Sequence, residues 1–104
     1  MKQDLELKSR IREILKIVQQ VSPGNSVELR IPPYAAIQCA ADSVHRRGTP
    51  PNVVEMSGQT LIELVGNPTY WDEFCHKGRI SASGTNSNLK DLIIKLSKLD
   101  SGTR

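Results

Sequence analysis

Three basic residues stand together at His45, Arg46 and Arg47, and they open the stretch HRRGTPPNVVEMSG, residues 45 to 58. Guanidinium groups hold carboxylate or phosphate through paired, charge-assisted hydrogen bonds, so the trio has the chemistry of a cationic lip over a binding site. The same residues also read as a solvated loop, in which Gly48, Pro50 and Pro51 set a stiff turn before an apolar strand. The sequence favours the turn without excluding the contact. Asn52, directly after the two prolines, is read as fixing that turn rather than as touching a ligand.

Other residue types capable of chemistry are sparse. Cys39 with His45 or His76 has the makings of a thiol nucleophile and base, yet no third residue orients the pair, and an inert strand cysteine is the stronger reading. The two histidines are far apart in sequence, with no cluster of metal ligands around them, so neither a metal nor another cofactor is expected. GRISASG carries a glycine at each end of a strand-like run and lacks the GKS or GKT of a phosphate-cradling loop. Glu55 and Glu63 sit singly in apolar surroundings, so the paired carboxylates of acid–base catalysis are missing. No autonomous enzyme is expected. Trp71 and Phe74, three apart on one helical face, are read as core in preference to a movable gate.

The chain that must position these residues has 104 of them, enough for one compact domain and too few for two. Its hydrophobic content of 38% with 24% charged residues is that of a soluble globular protein. A net charge of +3 and a pI near 9.1 are mild, and the basic residues are spread from Lys2 to Arg104. Nucleic acid as a partner calls for a concentrated basic face with stacking aromatics, and neither is present. No apolar run approaches the roughly 20 residues that span a bilayer, and MKQDLELKSR lacks the apolar region of a signal peptide. A cytoplasmic protein with no stable membrane insertion is expected. Cys39 and Cys75, without CxxC spacing, then read as buried thiols.

Hydrophobic periodicity supplies the elements. Leu7, Ile11, Ile14, Leu15 and Val18 recur on one face of an amphipathic helix over residues 1–21, which SPGN at 22–25 stops. SVELRI alternates Val27, Leu29 and Ile31 against Glu28 and Arg30, the pattern of a half-buried strand. After Pro32 and Pro33, YAAIQCA is apolar or small on both faces and is expected to lie centrally in the sheet. NVVEM is a third strand. Ser57 is placed to cap a helix whose apolar side is Leu61, Ile62 and Val65, and Gly66 closes it. A second short helix follows, with Asn67 as cap, Pro68 at its first position and Gly78 beyond its end. RISAS turns Ile80 and Ala82 inward, and Leu89, Leu92, Ile93, Leu96 and Leu99 stripe a terminal helix. The order is α-β-β-β-α-α-β-α in a single domain over 1–104, with a flexible end at 98–104.

VVEMSGQTLIELV, then an aromatic-bearing helix, then Phe74, Gly78, Arg79, Ile80, Ala82, Ser83 and Gly84 resemble the sterol carrier protein type 2 domain. RIPPYAAIQC and HRRGTPPNVVE resemble the short bacterial branch of that superfamily. The resemblance covers roughly residues 26–97 and implies an α+β fold with about five strands in a mixed sheet, covered by helices on one side. It implies an apolar tunnel between sheet and helices that holds a lipid or fatty acyl ligand. On that reading Val54, Met56, Leu61, Val65, Trp71, Phe74, Ile80, Leu92 and Leu96 line the ligand, with Arg46 or Arg47 near its head group. An empty cavity of about 300 Å³ costs on the order of 7 kcal/mol at about 24 cal/mol per Å³. The site is therefore expected to be small, collapsed when empty, or occupied. Accessory modules also occur in this superfamily, so a protein partner met through a sheet edge or through an exposed Ile94 and Leu99 is the alternative.

Overall fold

The computed structural model describes residues 2–41, 52–84 and 87–102. The elements run α1 (Lys2–Val21), β1 (Val27–Ile31), β2 (Ala35–Cys39), β3 (Asn52–Met56), α2 (Gly58–Gly66), a 3-10 turn (Pro68–Tyr70), α3 (Trp71–His76), β4 (Ile80–Ser83) and α4 (Lys90–Gly102). The described residues form a four-stranded sheet in the order β2-β1-β3-β4. β1 pairs antiparallel with β2 and parallel with β3, and β3 pairs antiparallel with β4.

Three expectations are corrected here. The resemblance implied about five strands, whereas four are formed among the described residues, matching the four runs of strand periodicity in the sequence. β2 is an edge strand and not a central one. The Pro32–Tyr34 turn folds it back beside β1, and β3 then takes the other side of β1. The small residues of β2 suit a two-sided environment by type, yet Ala36 and Gln38 are exposed. The single short helix expected after Asn67 divides into the 3-10 turn and α3, so the simple α-β-β-β-α-α-β-α order does not hold in detail. Pro68 starts the first of these, and the Asn67 side chain makes no capping bond to it.

One sheet face carries the core. In register across the strands, Val27 lies beside Cys39 and Asn52, Leu29 beside Ile37 and Val54, and Met56 beside Ile80. Helix α1 lays Ile11, Ile14, Leu15 and Val18 into the same buried cluster, α2 adds Leu61, Leu64 and Val65, and α4 adds Leu92, Ile93 and Leu96. The apolar side of α2 is thus Leu64 with Leu61 and Val65, while Ile62 is only part-buried; apolar residues at 61, 62, 64 and 65 left its inward face ambiguous. The opposite sheet face is polar, with Arg30 Nε 3.8 Å from Glu28 and 3.6 Å from Glu55.

Backbone geometry at the α1–β1 connection explains its glycine. Gly24 has φ +146°, and a Cβ there would lie 2.2 Å from the Ala40 carbonyl oxygen. Ala40 itself has φ 63°, and its backbone holds the connection from both sides: Ser26 N–H donates to its carbonyl at 2.9 Å, and its own N–H donates to Ser22 at 2.8 Å. Beside this connection, buried Asn52 donates from Nδ2 to the Ser26 carbonyl at 2.9 Å. Asn52 therefore anchors the start of β3 to the start of β1.

Candidate functional site

The nine apolar residues expected to line a ligand come from five elements and are brought into one buried cluster. Val54 and Met56 lie on β3, Leu61 and Val65 on α2, Trp71 and Phe74 on α3, Ile80 on β4, and Leu92 and Leu96 on α4. Their exposure runs from 0% for Val54 and Leu61 to 8% for Leu92, so these nine residues form an apolar cluster between sheet and helices. Arg46 and Arg47, with His45, lie outside the described residues. The described residues on either side of them, Cys39 on β2 and Asn52 on β3, both register with Val27.

At the opposite end of β3 the structure assembles a polar cluster that the sequence did not announce. Ser57 caps α2, its Oγ accepting from the Thr60 N–H at 3.1 Å and donating to Thr60 Oγ1 at 2.9 Å. Arg79, read from the strand alternation as simply outward-facing, reaches back over α2. Its Nε and Nη2 donate to Thr60 Oγ1 at 3.3 and 3.1 Å, and Nη2 also pairs with Glu63. The guanidinium carbon sits 4.1 Å from the centre of the Phe74 ring, a cation–π contact. Thr60 and Glu63 are three apart on one helix face, so both reach the same partner. The pairing spans sixteen residues, and nothing in local periodicity could have disclosed it.

A surface cavity of about 290 Å³ opens beside this cluster. Its walls are Pro32, Glu55, Met56 and Ser57 on one side and Gly78, Arg79 and Ser81 on the other. Met56, 3% exposed, belongs both to the cavity lining and to the apolar core. A second depression, about 460 Å³, runs along the outer side of α1 past Leu5, Lys8 and Arg12 to Lys16.

The two thiols are placed apart and are unsuited to nucleophilic work. Burial pushes Cys39 up to about 11, and burial followed by the nearby Asp72 carboxylate raises Cys75. A protonated thiol is a poor nucleophile. Among the described residues no group of His, Cys, Asp and Glu converges as a metal site, and no helix is long and apolar enough to cross a membrane. Leu99 is 42% exposed and Ile94 part-exposed on α4.

The described residues thus form a mixed sheet with one apolar face packed under helices. The family described as Bacterial SCP ortholog matches residues 3–94, and the chain belongs to that bacterial sterol carrier protein-like family. No curated protein matches the sequence closely enough to count as a relative.

Proposed function

We propose that the protein binds one apolar ligand, a lipid or fatty acyl chain, non-covalently in the seam between its sheet and its helices, and carries it without transforming it. The observation that supports this reading most is the convergence of Val54, Leu61, Val65, Phe74 and Leu96 in one apolar cluster, in a chain whose family is of the carrier type. Binding replaces side-chain contacts with ligand contacts, since a permanent void of ligand size would consume much of the 5–15 kcal/mol that stabilises a domain. The six-residue α3 is the shortest helix over the seam, and its Trp71 and Phe74 are the bulkiest side chains to displace.

The test is a titration with an environment-sensitive apolar fluorophore, followed by competition with unlabelled lipids, on the native protein and on Val65→Trp. Saturable one-to-one binding that unlabelled lipid reverses, and that the added indole blocks while the fold persists, is the expected result. A fluorophore that fails to saturate, or one unaffected by Val65→Trp, contradicts a ligand in the seam.

A further inference from the structure

We propose that Arg79 is the polar anchor of the carried ligand, and that its surroundings select an uncharged head group able to accept a hydrogen bond over a carboxylate. This rests on the carrier reading and assigns it a head-group site and a ligand class. The guanidinium is fixed before any ligand arrives, stacked on Phe74 and held by Thr60 and Glu63 through Nε and Nη2. Nη1 makes no hydrogen bond to a described residue, and Arg79 lines the 290 Å³ cavity. A donor held in place beforehand binds without losing side-chain freedom, and its unused N–H groups are the ones left for a ligand. Met56 is common to the cavity lining and the apolar core, so a head group held at Arg79 sends its chain past Met56 toward the seam.

Charge decides which head group. The positive charge of Arg79 is already matched by Glu63, and Glu55 brings a second carboxylate to the cavity wall, shared with Arg30 at 3.6 Å. An incoming carboxylate meets like charge there and gains little from a guanidinium whose charge is spent. An amide carbonyl or an alcohol oxygen accepts from Nη1 without that repulsion, and the Ser81 hydroxyl of the cavity lining supplies further bonding.

Dodecanamide, dodecanol and dodecanoate share one chain length, so their competition against an apolar fluorophore at about pH 8, where the acid is ionised, isolates the head group. The amide and alcohol are expected to displace the fluorophore at about tenfold lower concentration than the acid, a ratio set by the like charge of Glu63 and Glu55 that only the acid meets. Arg79→Lys, which cannot reproduce the stacked fork, is expected to bring the three ligands within about twofold of one another. Glu55→Gln, on the cavity rim, narrows the ratio from the other side by improving dodecanoate, and it keeps the test decisive should Arg79→Lys fail to fold. A native preference for dodecanoate, or a ratio unmoved by Arg79→Lys and Glu55→Gln alike, overturns the assignment while the carrier reading stands. Loss of selectivity in Arg46→Ala/Arg47→Ala, with Arg79→Lys retaining it, moves the head group to the loop and also overturns it. Displacement by none of the three removes the carrier reading and the anchor with it.

Discussion

At the scale of the residue, backbone geometry and burial make two predictions independent of any ligand. Gly24→Ala forces a side chain into φ +146° and against the Ala40 carbonyl, and it should destabilise the fold by about 1–3 kcal/mol, read as a lowered urea midpoint at unchanged slope. An unchanged midpoint would show that this connection relaxes freely. Cys39 titrates at about 11 in the folded chain against an ordinary 9.0. Because the folded value is the higher, the contribution of the protonated thiol is intact below about pH 9 and is lost as pH rises through about 11. Native stability should therefore fall more steeply across that window than the stability of Cys39→Ala. At neutral pH, Cys75 should react with a disulfide reagent first, and Cys39 only as fast as the chain opens. Equal reactivity of the two thiols would contradict the burial of Cys39.

At the scale of the element, what was legible in the sequence follows from how local the cause is. Ser57 stands directly before an apolar run, and its hydroxyl does cap α2. Replacing it with alanine should cost about 1 kcal/mol and leave the Thr60 hydroxyl with one partner fewer, measured by thermal unfolding; an indifferent Ser57→Ala would show that α2 is held by packing alone. α1 was equally legible, because Ile11, Ile14, Leu15 and Val18 fall on one face at helical spacing and all are buried. β2 was not. Its small residues carry no clear alternation, and its edge position is decided by the turn at Pro32–Tyr34 and by which side of β1 is left for β3. The candidate site divides in the same way. Its apolar members were readable from periodicity within each element, whereas Arg79 depends on partners on α2 and α3, so its role arises only when three separate elements meet.

At the scale of the whole molecule, the two sheet faces separate stability from surface chemistry. Glu28, Arg30 and Glu55 keep one face polar through exposed ion pairs, which add little to stability. The other face and all four α-helices hold the apolar cluster, and the polar cavity meets that cluster at Met56 alone among its described apolar members. An account in which the seam is the ligand site makes the location of a bound chain its central claim. The most direct measurement is methyl NMR of the protein with an isotope-edited dodecyl ligand, recording transfer between the chain protons and assigned methyl groups. The account predicts contacts from the alkyl chain to Val54, Leu61, Val65 and Leu96. Contacts confined to Leu5 and the outer side of α1, with the seam methyls silent, would contradict it.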